Sequence, residues 1–447
     1  MFLSAMVVAS SVVTPYLQDP AAPPTDPVAG LAAAIDLPTR EARRRAAELL
    51  AERAEPLATW LKAARALRPR PTPADAERID EHTLRYRTKL WLQEAERPAE
   101  IWVRVPPDVD ASRPLPLLLV RHAAGGTGET ALHQWAPLAE RCGLVLAAPT
   151  ETYESYRKEG WAYMPDAADG VLEALRFVRR HHDIDEARVF LGGVGGGGHM
   201  TWDVGARHAD LFAGLLPANG SPRTGNALNE CNTMFLEALA SVPVRALRWP
   251  PNEPRLDEHV ARALLLLQGL GNRAAERIDC RDEADALGEG GVARRWFERT
   301  RQVPQRVVRV PELCWTPHRR DWGRAHWVEI LRVDPKVRVP FPPPLSATRL
   351  RGRDARGQRD LLDATIRDRQ PWLRIEARGG GRFDVRDRHV HQLRILLTET
   401  TRRDAIEIKW RGETLRKPAP ESAAVLLREF VERFDRTFLP IAEVVLP

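Results

Sequence analysis

Apolar and polar positions change their period several times along the chain. Over residues 31 to 75 the pattern is helical. Arg40 to Leu67 is rich in Ala, Leu, Glu and Arg, with apolar residues recurring at helical spacing. Pro56 splits this stretch into two helices, and Pro69, Pro71 and Pro73 end it. From about residue 82, Leu84 to Gln93 and Ile101 to Val105 alternate and predict a β-hairpin. Leu115 to Val120 is a continuous apolar run, followed by the turn Ala123-Ala124-Gly125-Gly126 and a helical pattern from Ala131 to Cys142. Strands are then expected at Leu144 to Ala148, residues 188 to 192, Phe212 to Pro217, Val242 to Leu247 and Arg306 to Val310. Helices are expected at 167 to 181, 198 to 207 and 256 to 270. Strands that alternate with helices predict an α/β domain over 80–310, its mostly parallel sheet covered by helices on both faces.

Beyond residue 311 the character changes again. Pro340 to Pro344 marks a break, and short alternating runs follow at Trp372 to Ala377, Arg382 to Val385, Gln392 to Leu397, Ala405 to Trp410 and Ile441 to Leu446. Arg378-Gly379-Gly380-Gly381 can turn a hairpin between the first two. Together with one helix at 421 to 433 they predict a small β-rich domain over 335–447. No internal repeat is visible.

Composition narrows the partners. A hydrophobic share of 43% with 29% charged residues is that of a globular protein, and the net charge of +6 is spread among interspersed acidic residues. No nucleic-acid motif accompanies it, so no nucleic-acid partner is expected. Cys142, Cys231, Cys280 and Cys314 lie too far apart for a short zinc-ligand pattern, and Cys142 reads as a buried free thiol. No metal and no cofactor is expected. Phe2 to Val13 is too short for a membrane span but resembles the apolar core of an export signal, and the Pro-rich stretch Pro20 to Pro27 reads as a linker. Residues 1–30 are therefore expected to direct export to the periplasm or outside the cell, a cytoplasmic location being the alternative. No transmembrane span is expected further along.

Candidate chemistry concentrates in Arg188-Val-Phe-Leu-Gly-Gly-Val-Gly-Gly-Gly-Gly-His-Met-Thr-Trp-Asp203, where a strand runs through a tight glycine turn into a helix. Such a turn is a candidate anion loop, but no Lys-Ser/Thr follows it and it lies too deep in the chain for a first βαβ unit. The other candidate is G-x-S-x-G, whose serine sits on a turn so sharp that its neighbours must be glycine. Gly193-Val194-Gly195-Gly196-Gly197 fits that frame, with Gly195 where serine belongs.

Residues 183 to 217, from Asp-Ile-Asp-Glu-Ala-Arg-Val-Phe through Thr-Trp-Asp-Val-Gly-Ala-Arg-His-Ala-Asp-Leu-Phe-Ala-Gly, closely resemble the esterase and prolyl-oligopeptidase-like branch of the α/β-hydrolase superfamily. Pro116 to Glu129 looks like that family's oxyanion strand and loop. The resemblance covers roughly residues 84 to 310 and is most specific from 115 to 217. It implies an α/β-hydrolase fold, a nucleophile at position 195, and oxyanion donors from Gly196 and the His122-Ala123 loop. It further implies an acid after the strand at 242–247, where Asn252 and Glu253 stand, and a histidine near Asp285 to Gly291, where none occurs.

These departures predict a pseudohydrolase, a binding or scaffold protein that accepts a small molecule or peptide in a degenerate elbow formed by Gly193, Gly195, Gly196 and Gly197. Trp161, His199 and Trp202, with Tyr163, are candidate pocket residues, although aromatics at this spacing also serve as core. His318 and His326 fit a polar junction leading into the β-rich domain. The alternative is an active serine hydrolase of esters or peptides with a non-standard nucleophile such as Ser221 or Ser241.

Overall fold

The structure is a computed structural model. It describes residues 24–92, 95–110, 112–151, 165–222, 233–251, 253–299, 312–316, 324–335, 337, 351–354, 357, 361 and 370–447. The expected export signal Phe2 to Val13, the strand expected at Arg306 to Val310, Trp161, Tyr163, Cys231, Asn252 and His318 lie outside the described residues.

Three helices come first, α1 (Pro27–Ile35), α2 (Arg40–Ala51) and α3 (Leu57–Ala66). Asp26 and Thr39 cap the first two through their side chains, and Pro56 stands at the N-cap of the third. The central sheet begins with β1 (Glu77–Arg78), β2 (Thr83–Leu92) and β3 (Ala95–Arg104), β2 and β3 forming the predicted hairpin. The α/β alternation follows as β4 (Leu115–Arg121), α4 (Gly128–Cys142), β5 (Val145–Glu151), α5 (Pro165–His181), β6 (Ile184–Val194), α6 (Gly196–Arg207), β7 (Gly214–Ala218), β8 (Val244–Arg248), α7 (Pro254–Gly269) and β9 (Ala275–Asp279). Two short helices, α8 (Glu283–Leu287) and α9 (Val292–Arg299), complete this part.

The nine strands lie in the order β1-β2-β3-β5-β4-β6-β7-β8-β9. Pairing is antiparallel from β1 to the β3–β5 contact and parallel from β5 to β9. Central strands are apolar on both faces, as a doubly covered sheet requires: Leu117 and Leu119 pack towards α5, α6 and α7, while Leu118 and Val120 pack towards α4, α8 and α9. The last strand, β9, was not expected from the sequence. Its segment Ala-Glu-Arg-Ile-Asp is mostly charged because it forms the sheet's outer edge.

The C-terminal region holds two sheets around one core. A five-stranded sheet runs β10 (Glu312–Trp315), β13 (Trp372–Gly379), β14 (Arg382–Arg388), β16 (Ala405–Trp410) and β17 (Glu413–Pro418). A four-stranded sheet runs β11 (Arg324–Ala325), β12 (Val328–Val333), β15 (Val390–Thr398) and β18 (Pro440–Leu446). Strands β10, β11 and β12 precede residue 335, so the β-rich unit recruits chain ahead of its expected start, through pairs such as Leu313–Ile375 and Val328–Ile395. The helix α10 (Ala423–Arg433) does not serve that core alone. Its Leu426, Leu427, Phe430 and Val431 bury Trp60, Leu50 and Leu31 of the N-terminal helices. The helical segment is thus packed onto the C-terminal unit. Among the described residues no helix is long and apolar enough to cross a membrane.

Candidate functional site

Ligands of open α/β sheets bind outside the carboxyl ends of the strands, and the polar and glycine-rich residues of this chain converge there. Gly195 follows β6 directly and N-caps α6, with φ 57° and ψ −115°. This conformation is strained for any residue with a Cβ. Its N–H donates to the Ala218 carbonyl at 2.8 Å, which ties the turn to the neighbouring strand.

The surrounding glycines allow close approach of backbone to backbone. A Cβ on Gly197 would lie 2.2 Å from the Arg121 carbonyl oxygen, and one on Gly193 would lie 2.5 Å from the Gly197 backbone. Gly195 differs. Among the described residues a Cβ there would meet only the Ala123 methyl, at 3.9 Å, and these residues leave the space above the turn open.

Ala123 belongs to the loop between β4 and α4, the place from which α/β-hydrolases draw their second oxyanion donor. Its carbonyl accepts from the Gly126 N–H at 2.9 Å and lies 2.8 Å from His122 Nδ1. The loop is further held by Thr127, which caps α4 in a box with Thr130. On the elbow side, first-turn N–H groups of α6 have no intrahelical acceptor, and Gly195 offers no side chain to cap them. Together with the positive end of the helix they form a cradle for a carbonyl or anionic oxygen.

His199 stands one turn along α6 and is half-buried. Its Nδ1 lies 3.0 Å from the Ser221 N–H and 2.8 Å from the Ser221 carbonyl, so that nitrogen is committed to the Ser221 backbone in either tautomer. Burial pushes the imidazole below its ordinary pKa, and the nearby charges of Arg248 and His259 act in the same direction against Glu253. The ring is therefore neutral at pH 7. Ser221 itself is fully buried.

Sequence reasoning missed the charged residues behind His199. Arg248 ends β8, is 2% exposed, and pairs with Asp257 of α7. Its Nε and Nη1 have no hydrogen-bond partner among the described residues. The only signal in the sequence is an arginine closing an apolar strand. Glu253, expected near the acid position, N-caps α7 without a side-chain cap bond and stays within electrostatic range of His199.

The segment after β9 opens with Cys280, whose thiol burial, helped by Asp285, raises to about 11; it is protonated at neutral pH. Asp285 to Gly291, expected to carry a histidine, holds the end of α8 and the turn into α9. Trp202 does not line the elbow. It is fully buried in the core between α6 and the sheet, because its position on the helix faces inward. His326 is also buried, close enough to Asp210 to act on its charge, at the junction with the C-terminal unit. Cys142 is half-buried, and Cys142, Cys280 and Cys314 form no disulfide. No cluster of three metal-ligating side chains occurs among the described residues.

No protein-family model matches the chain. A poly(3-hydroxybutyrate) depolymerase of Ralstonia pickettii is 32% identical over 97 residues, 20% of this chain and 20% of that one, so the chain spans about one fifth of that relative's length. Similar solved structures include the S-formylglutathione hydrolase FrmB from Staphylococcus aureus, 14% identical over 49% of this chain and 99% of that one at a TM-score of 0.39. Another is LpqC, a poly(3-hydroxybutyrate) depolymerase from Bordetella parapertussis, 18% identical over 48% and 85% at a TM-score of 0.36. These likenesses are partial, and the weight rests on the parallel sheet, its strand–turn–helix and the loop beside it. The strand order, the tight strand–turn–helix at Gly195 and the loop beside it are those of the α/β-hydrolase fold.

Proposed function

We propose that the chain is a pseudohydrolase that binds an acyl ester or a related carbonyl ligand at the elbow without turning it over. The observation that carries this reading is Gly195, in elbow geometry and without a side chain. Serine hydrolysis needs a hydroxyl beside a base, and among the described residues the position above the turn supplies neither. Oxyanion donors alone contribute roughly 3–4 kcal/mol each, which does not replace an attacking group. What the geometry retains is the cradle of α6 N–H groups beside the Ala123 loop. The 97-residue likeness to a polyester depolymerase favours esters over peptides as the ligand class.

The test is direct. A fluorophosphonate probe labels only an activated serine, so the native chain is expected to remain unlabelled and to leave p-nitrophenyl esters at background. Labelling that maps to Ser221, with loss of turnover in Ser221→Ala, would establish an active hydrolase with a displaced nucleophile instead. The burial of Ser221 and the commitment of His199 Nδ1 to its backbone argue against that outcome.

A further inference from the structure

The outer face of the five-stranded C-terminal sheet carries a second site. Along β13, β14 and β16 the residues alternate. Ile375, Phe383, Val385 and Ile408 point into the core, which leaves Arg374, Arg378, Asp384, Arg386 and Lys409 on the opposite face. That face is concave, with a groove of about 420 Å³.

Its carboxylates are already occupied. Glu376 and Asp384 both pair with Arg378, at 2.6 and 2.9 Å, and Asp387 holds Arg411 at 3.0 Å. Arg374 is paired with Glu312. Arg386 and Lys409, both exposed, form no ion pair or hydrogen bond among the described residues. Arg386 and Lys409 are thus without a direct ion-pair partner, although Asp384 stands across from Lys409 in the ladder, and the cations of the groove outnumber its carboxylates, Glu312 included, by one.

The register adds to this. Arg374 stands directly opposite Arg386 across the β13–β14 ladder, a like-charge pairing that costs stability unless an anion sits between. Arg411 forms a fixed rim, its guanidinium 4.4 Å above the Trp410 ring. No aromatic ring is among the described residues that line the groove, so these offer no platform on which a nucleic-acid base could stack.

We propose that this groove binds a small polyanion, a ligand carrying two or more carboxylate or phosphate groups, held between Arg386 and Lys409. Guanidinium and ammonium groups on a rigid sheet match such oxygens by charge-assisted hydrogen bonds. The site is separate from the elbow and does not depend on the reading of Gly195.

Calorimetric titration of the full chain with citrate and with pyrophosphate tests it. Saturable binding of either, weakened by added salt, is expected; the tighter of the two identifies carboxylate or phosphate as the source. R386Q/K409Q should lose about tenfold or more in affinity, while R386K/K409R should retain it. K62Q/R273Q, which removes two exposed charges elsewhere, should bind like the native chain. Absence of binding, or equal binding by R386Q/K409Q, would overturn the proposal. So would an oligonucleotide that outcompetes both probes at the same residues.

Discussion

At residue scale the elbow separates two kinds of glycine. Gly197 is required by contact, because its Cβ would sit 2.2 Å from a backbone oxygen that cannot move aside. Gly195 is required only by its backbone angle, φ 57°. Gly197→Ala is therefore expected to cost about 3 kcal/mol. Gly195→Ala should cost about 1–2 kcal/mol of strain. Denaturant unfolding of the two variants decides it, and the reverse order would contradict the packing described. Gly195→Ser fits the space above the turn but gains no base. His199 is neutral, yet one ring nitrogen is bound to the Ser221 backbone, and no histidine occurs between β9 and α9. A nucleophile and its base act as one unit, and loss of any member removes most of the rate. Gly195→Ser is expected to leave p-nitrophenyl ester hydrolysis at background. Strong activity in that variant would identify a working base, with His199 as the first residue to replace.

At the scale of elements, helices α1–α3 and α10 form one packed group although they come from opposite ends of the chain. Trp60 of α3 is fully buried in that group, against residues that include Phe430 and Phe434. Trp60→Ala is expected to destabilise the protein by about 3–5 kcal/mol. Amide exchange should rise in α10 as well as in α3. Exchange confined to α3 would show that the two ends fold independently. The α/β alternation of the central domain and the Gly379–Gly381 hairpin are local patterns, and both are legible in the chain. The edge strands β9 and β17 are not, since charged and exposed edges lack the apolar alternation of a half-buried strand.

At the scale of the whole molecule, buried ion pairs join the α/β domain to the C-terminal unit. Arg433 of α10 pairs with Asp210, and Arg436 pairs with Glu186 at 2.6 Å and Asp183 at 2.9 Å. Burial raises the Asp210 pKa, but Arg433, His326 and Arg324 outweigh it and hold the carboxyl well below the usual carboxylate range. A carboxyl lowered in this way stabilises the fold above its unfolded value of about 3.9, and the contribution disappears as pH falls through the folded value. Arg433→Ala leaves a buried carboxylate without its main cation. Its loss is expected to cost about 3–5 kcal/mol at neutral pH. The acid-unfolding midpoint should move to higher pH, because the carboxyl then takes up its proton earlier. A pH titration of ellipticity on native and variant protein measures both effects, and an unchanged midpoint would remove Asp210 from the junction.

What the sequence determined by itself is whatever short-range pattern encodes. The two-faced apolar strands, the glycine turn between strand and helix, and the glycine at position 195 of that turn all lie within contiguous segments whose backbone needs are local. The tertiary structure decided the rest, because it depends on which distant segments become neighbours. It buried Trp202 in the core, brought the Ser221 backbone to His199, and placed Arg248 behind that histidine. It also drew residues 312–333 into the β-rich unit and set Lys409 beside the β14 strand of Arg386 through parallel pairing of β14 with β16, two strands not consecutive in the chain. Side-chain alternation specifies which face a residue takes, but only strand pairing specifies what stands opposite it.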